Sequence, residues 1–192
     1  GQIVLPSGQH YPLLVVGSLQ SMTFPLVEKL ASLVDQGATV LAPRPAGSPF
    51  LADMAAGNDP KLAVLVKELW GGINGSSVKE NRYGQGRILW GCSIPEALRE
   101  SGVEPAMTSN VPNLEFEYRT VGADDLFFLS TQSDEPVAAE CRFRVTGKTP
   151  ELWYPDTGRI EHAVAREEDG KTVMGFEFPA NGSVFVFFRD QP

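Results

Sequence analysis

Hydrophobic positions recur with two different periods along the chain, and the change of period falls near its middle. Up to about residue 110, short apolar runs alternate with segments whose apolar residues lie three and four positions apart. That spacing predicts amphipathic helices between buried strands. Strands are predicted at 3–5, 11–17, 38–42 and 86–91, and helices at 22–36, 59–70 and 93–101. Because parallel neighbours need crossover connections, this order predicts a parallel sheet with flanking helices.

Residues at the ends of these segments have the expected chemistry. Thr23 can cap the first helix, which Gly37 ends. The run Gly84-Gln85-Gly86-Arg87 has the glycines of a phosphate loop, but it precedes a strand, whereas phosphate-binding glycines lie between a strand and a helix. A hairpin turn is therefore predicted at this run.

After residue 110 the period becomes two. Apolar and polar residues alternate, and turn pairs such as Asp169-Gly170 and Asn181-Gly182 separate the segments. Strands are predicted at 114–119, 125–132, 141–145, 151–154, 159–163, 171–174, 176–178 and 183–189. Short strands at this spacing predict an antiparallel β-sandwich.

Two rows of charge follow from the alternation. Glu115 and Glu117 form one outward row, and Arg142 and Arg144 form another of opposite sign. We expect the two rows to face each other on paired strands and to serve the scaffold rather than any chemistry.

Charge and aromatic content also divide the chain of 192 residues. Of 24 acidic residues, 15 lie in 111–192, and so do 12 of 18 aromatic residues. Two domains are therefore predicted, an α/β domain at 1–110 and a β-sandwich at 111–192. Because the chain starts with Gly1 and few strong strands precede residue 110, we expect a piece of a longer protein whose α/β domain is truncated at its N-terminus.

The net charge of −8 disfavours nucleic acid as a partner, since phosphate binding requires a positive surface. No apolar stretch is long enough to span a membrane. Cys92 and Cys141 have no metal-ligand spacing and are expected to be buried small apolar residues, although a bridge between them stays open. No metal site and no cofactor are predicted.

Few residues are candidates for catalysis. His10 and His162 lie in different halves, without the neighbours of a triad or a metal site. Ser18 and Ser21 follow a predicted strand and precede a helix, which is the place of a nucleophile elbow. In an elbow, the nucleophile is the middle residue of the five-residue turn, and here the middle residue of Gly17–Ser21 is Leu19. Both serines are therefore weak candidates.

Trp153 and Tyr154 are candidates for carbohydrate contact, because exposed aromatic rings stack on sugars. They are adjacent on a predicted strand, so one ring faces outward if the strand is regular. Pro155 places the pair near a strand end, where Tyr154 has the alternative of covering a neighbouring domain.

Several short runs spread over most of the chain form a joint pattern: Met22-Thr23, Pro25, Glu28-Lys29-Leu30, Gly37–Val40, Ser133–Val137, Phe143–Lys148, Pro150–Trp153, Pro155, Thr157-Gly158 and Gly182–Arg189. Together they resemble the C-terminal region of large bacterial glycoside hydrolases of the α-L-rhamnosidase type, glycoside hydrolase family 106. Tyr154 departs from the pattern, because an acidic residue is expected at that point of the Leu-Trp-x-Pro motif.

The resemblance implies that the catalytic glutamates and a calcium site belong to an N-terminal barrel domain, to which no position here corresponds. It implies a glutamine-amidotransferase-like, flavodoxin-like three-layer α/β domain that has lost its nucleophile, consistent with Leu19. The implied partner is the upstream catalytic barrel of the same polypeptide, with a homo-oligomer also compatible. The parent enzyme is expected to be periplasmic or secreted, and the location of this piece alone is left open.

We therefore predict a non-catalytic C-terminal accessory fragment of a carbohydrate-degrading glycoside hydrolase, which braces the catalytic barrel or forms subunit contacts. One alternative is a carbohydrate-binding module that contacts an oligosaccharide through Trp153 or Tyr154. A second alternative is an autonomous amidotransferase- or hydrolase-like enzyme that uses Ser18 or Ser21.

Overall fold

The computed structural model of the chain describes residues 1–55 and 57–190, and it is rich in β-structure. The chain divides into two compact units, Gly1–Glu104 and Pro105–Pro192. The division precedes the predicted boundary at residue 110, because a strand at Met107–Ser109 pairs with a strand of the second unit.

The first unit contains all the helices of the described residues. Its elements in chain order are β1 (Ile3–Val4), β2 (His10–Tyr11), β3 (Leu14–Val15), α1 (Phe24–Asp35), β4 (Thr39–Leu41), α2 (Leu51–Ala55), α3 (Asp59–Trp70), β5 (Glu80–Tyr83), β6 (Gly86–Leu89) and α4 (Ile94–Glu100). A four-stranded sheet has the order β3-β4-β6-β5, in which β3, β4 and β6 are parallel and β5 is antiparallel. The parallel sheet with crossover helices is thus confirmed.

The helix signals that the sequence carries are present. The Thr23 hydroxyl accepts a hydrogen bond from the backbone N–H of Leu26 at the start of α1. Ser93 and Glu96 form a capping box at the start of α4, in which each side chain accepts from the other residue's backbone N–H. Trp70, at the end of α3, is fully buried and donates its indole N–H to the Ala42 carbonyl, which ties α3 to the end of β4.

The strand predicted at 11–17 is divided in the structure, because its start pairs with Ile3–Val4 in an antiparallel hairpin and only Leu14–Val15 joins the parallel sheet. β1 and β2 form a separate two-stranded sheet, and β3 contributes only two residues. The turn between β5 and β6 is the predicted hairpin, with Tyr83 opposite Gly86, so it has no phosphate-loop geometry.

Asp53, in α2, is a buried carboxylate that holds the start of α1. It accepts hydrogen bonds from the Ser48 hydroxyl at 2.5 Å, from the backbone N–H of Phe24 at 3.1 Å and from the Asn58 amide at 3.3 Å. These donors, led by Ser48, lower the pKa of Asp53. The carboxylate therefore satisfies an N–H at a helix start that would otherwise lack a partner.

Replacing Asp53 with Asn is expected to destabilise the first unit at neutral pH and to have little effect at low pH. The folded-state pKa lies below the unfolded value of about 3.9, so the contribution of the carboxylate is present above about pH 4 and is lost as the pH falls through the folded-state pKa. Urea unfolding of D53N and the parent chain between pH 3 and 7 measures the difference. The exposed Glu68→Gln is the control, and a difference that stays constant with pH would contradict the assignment.

The second unit consists of two antiparallel sheets around one core. Its strands are β7 (Met107–Ser109), β8 (Leu114–Val121), β9 (Asp124–Thr131), β10 (Val137–Phe143), β11 (Thr149–Trp153), β12 (Ile160–His162), β13 (Arg166–Glu168), β14 (Lys171–Phe178) and β15 (Ser183–Arg189). One sheet has the order β13-β14-β10-β7 and the other the order β12-β11-β15-β9-β8. Phe127, Phe143 and Phe188 are at most 1% exposed and bring both sheets into one aromatic core.

The predicted pairing of the two charge rows is wrong. Glu117 lies on β8 and Arg142 on β10, and these strands belong to different sheets. Glu117 instead forms an ion pair with Arg119 of its own strand, whereas Arg142 pairs with Glu140 and Glu168. Alternation fixes which side of a strand a residue faces, but it does not determine which strands pair.

Candidate functional site

The first unit has a cleft at the carboxyl ends of its three parallel strands, where open α/β sheets commonly bind ligands. Its volume is about 550 Å³. The segments that follow β3, β4 and β6 line it. They are Val15–Gln20, Leu41–Arg44 with Ala46, and Trp90–Cys92.

Ser18 lines this cleft, but its surroundings differ from a nucleophile elbow. The backbone N–H of Leu19 donates to the Gly17 carbonyl at 2.7 Å, so the chain turns directly after β3. The first helix starts only at Phe24, and Ser21 is not among the residues that line the cleft. The sharp strand-to-helix turn that exposes a nucleophile is therefore not formed here.

The described lining of the cleft brings Ser18 no partner that would activate it. Within the described part of the chain, no histidine and no carboxylate lines the cleft, and Arg44 is its one charged residue. A serine needs a base within hydrogen-bond reach to act as a nucleophile. The cleft thus lacks the groups for general acid–base or nucleophilic catalysis through serine.

Cys92 also lines the cleft, a place that was not predicted for it. It follows β6 by three positions, so the missed signal was its place after a buried parallel strand. Burial raises the pKa of the Cys92 thiol, with a further contribution from Glu100, so the thiol stays protonated at neutral pH. Its reactivity is low for the same reason.

Both cysteines are free thiols in the structure. Cys141 is fully buried in the core of the second unit, and burial raises its pKa to about 11. The prediction of a buried apolar cysteine is confirmed for Cys141, whereas Cys92 is only half-buried.

Trp153 and Tyr154 lie on opposite faces of their strand. The Trp153 ring packs on Phe187 with ring centroids 5.2 Å apart, and its indole N–H donates to Glu151 at 3.0 Å. Tyr154 packs against the sandwich core and donates its hydroxyl to Glu161 at 2.8 Å. The two rings therefore form no joint platform for a sugar.

Tyr154 nevertheless lines a cleft of about 740 Å³ within the second unit. The Arg159 guanidinium lies 4.0 Å from the centre of the Tyr154 ring and forms an ion pair with Glu161 at 3.2 Å. Burial and the bond to Glu161 raise the pKa of Tyr154. A cation thus occupies the ring face that a sugar would need, and carbohydrate contact at these residues stays a prediction.

In residues 1–55 and 57–190, no three or more His, Cys, Asp or Glu side chains form a group that could hold a metal ion. None of the helices in those ranges has both the length and the apolarity that crossing a bilayer requires.

Three known proteins show what the chain is similar to. A rhamnosidase structure from Novosphingobium sp. PP1Y is 33% identical, with a TM-score of 0.86 over 100% of this chain and 18% of that one. A putative β-glucuronidase of Formosa agariphila is 25% identical over 99% of this chain and 16% of its own length. A β-galactosidase from Bacillus circulans sp. alkalophilus, at 12% identity and a TM-score of 0.53, covers 93% of this chain and 33% of its own, and it shares the fold alone.

The chain thus spans less than a fifth of the length of the rhamnosidase and of the putative β-glucuronidase. The α-L-rhamnosidase family, glycoside hydrolase family 106, matches residues 1–166. This match covers most of the 192 residues, and the chain therefore belongs to that family.

Proposed function

We propose that this chain is a non-catalytic C-terminal accessory region of a carbohydrate-degrading glycoside hydrolase, and that it braces the catalytic part of a longer polypeptide. The observation that carries the proposal is the lining of the sheet-edge cleft, which among the described residues brings neither a histidine nor a carboxylate to Ser18. The relatives' length supports it, because more than four fifths of the rhamnosidase lies outside the matched part. The catalytic residues then lie in that other part.

The proposal includes an amidotransferase-like origin for the first unit. Its support is the parallel sheet with a cleft at the carboxyl ends of the strands, and Leu19 at the position where an elbow would carry its nucleophile. A domain that has lost its nucleophile can keep its fold while it no longer catalyses the reaction, since fold does not determine function.

We expect the 192-residue chain to hydrolyse neither an aryl α-L-rhamnoside nor glutamine above the level of a heat-denatured sample. Ser18→Ala and Ser21→Ala are expected to leave that background unchanged, because the described lining of the cleft brings Ser18 no activating base and Ser21 lies outside that lining. Release of the aryl alcohol and of ammonia measures the two reactions. Turnover that disappears in either serine variant, while circular dichroism shows both variants folded, would overturn the proposal.

A further inference from the structure

Two neighbouring interior strands of the five-stranded sheet, β9 and β15, contain runs that are apolar on both faces. Two runs contain no polar residue: Leu126-Phe127-Phe128-Leu129 in β9 and residues 184–188 in β15. A sheet with one solvated face normally alternates apolar and polar residues, whereas continuous apolar strands are typical of sheets covered on both sides. Only one face of this sheet packs into the sandwich core.

The other face is a continuous apolar surface, which we call the outer sheet face. It consists of Leu126, Phe128, Trp153, Ile160, Phe185 and Phe187. Cross-strand register joins these residues, because Trp153 lies opposite both Ile160 and Phe185, and Phe185 lies opposite Phe128. The rings of Phe128 and Phe185 are in contact, with centroids 4.8 Å apart.

Charged pairs border the outer sheet face on two sides. Glu117 and Arg119, on β8, form an ion pair at 3.3 Å beside Phe128 and Leu126. On the other side, Arg189 pairs with Glu151 at 3.1 Å, and its guanidinium lies 5.0 Å from the centre of the Phe187 ring and 5.8 Å from that of Trp153. An apolar centre inside a polar rim is the composition of a protein–protein contact. Strands β7–β15 all belong to the two sheets, so the described residues of the second unit supply no third layer over this face.

The size of the outer sheet face indicates what kind of partner can cover it. Four strands at about 4.8 Å spacing and two rows of side chains give a surface of roughly 200–300 Å². Separate chains usually bury about 800 Å² each in a stable complex, so this face is too small to hold a free partner or a second copy by itself. A domain on the same polypeptide binds at high effective concentration and needs less area.

We propose that the outer sheet face packs against an apolar surface of another domain in the longer polypeptide that contains this chain. The proposal rests on the proposed function, because it identifies the surface through which the chain braces its parent. The relatives leave ample length for that domain, since this chain covers 18% of the rhamnosidase and 16% of the putative β-glucuronidase.

Thiol labelling of Ile160→Cys tests this contact. Ile160 is 57% exposed in this chain, and the matched control Val164→Cys is 94% exposed in the loop that follows β12. Both variants are made with Cys92→Ser, and maleimide labelling is followed in the 192-residue chain and in the full-length gene product. We expect Cys at 160 to react at least about tenfold more slowly in the full-length product, because buried thiols are inert, and Cys at 164 to react equally in both.

The other outcomes overturn the proposal in distinguishable ways. Equal rates at 160 in both proteins would show that the outer sheet face is solvated in the parent. Slowing at 164 as well would indicate occlusion of the whole edge rather than this face. If Cys at 160 reacts more slowly in the isolated chain as the concentration of that chain rises, the face binds a second copy of the chain. A gene product no longer than this chain would instead remove the proposed function itself.

Discussion

Gly86→Ala is expected to destabilise the first unit by about 3 kcal/mol, the upper part of the range for an overpacked core site. Gly86 is buried at the start of β6, where the hairpin from β5 meets the end of α1. A Cβ atom there would lie 2.3 Å from the Val34 carbonyl oxygen and 2.4 Å from that of Ala38. Both obstacles are backbone atoms, so no rotamer change relieves the clash.

Far-UV circular dichroism measures this effect, because all helices of the described residues lie in the first unit. Gly72→Ala is the matched control, since a Cβ at Gly72 would meet nothing within 4 Å and its backbone needs no positive φ. Gly72→Ala is expected to shift the urea midpoint no more than an ordinary surface substitution does. Equal midpoints for the two variants would mean that the hairpin does not pack on α1 as described.

The helices of the first unit could be predicted because their signals are local. Thr23 as cap and the spacing of apolar residues specify α1 without reference to the rest of the chain, and the apolar spacing alone does so for α3. The short helix α2 was not predicted, because five residues are too few to show a helical period and the bond from Asp53 to the Phe24 N–H spans 29 positions. Such long-range bonds leave no periodic pattern in the sequence.

The sandwich was predictable as a type and not in its pairing. Alternation correctly indicated strands such as β8, but β7 and β13 are three residues long and too short to show a period. Which strands become neighbours depends on turns and on the core as a whole. The charge rows were misplaced for this reason, since β8 and β10 lie in different sheets.

The candidate site was predictable only as a location. The sequence placed Ser18 after a strand and before a helix, and Ser18 does line the cleft at the sheet edge. Cys92 was missed because its role as a lining residue depends on β6 lying beside β4, a fact of three-dimensional pairing. Alternation along a strand correctly indicated that the Trp153 and Tyr154 rings face opposite ways, but it could not show that Tyr154 is the one that packs on the core.

Phe127→Ala is expected to destabilise the second unit by about 4 kcal/mol, which is typical of removing a buried phenylalanine ring. Phe127 is 1% exposed, and its ring lies 4.7 Å from that of Tyr118 and 4.9 Å from that of Phe143. The variant would therefore leave a cavity between the two sheets that rigid neighbouring rings cannot fill.

The neighbouring residue Phe128 provides the matched control, because it has the same side chain on the opposite face of the same strand. Phe128 is half-buried, so in the 192-residue chain Phe128→Ala is expected to cost only about 1–2 kcal/mol. Trp153 fluorescence, isolated by replacing Trp70 and Trp90 with Phe in every sample, follows urea unfolding of the second unit. Equal losses for the two variants would show that the two faces of β9 are equally buried, and would contradict the assignment of Phe127 to the core and of Phe128 to the outer sheet face.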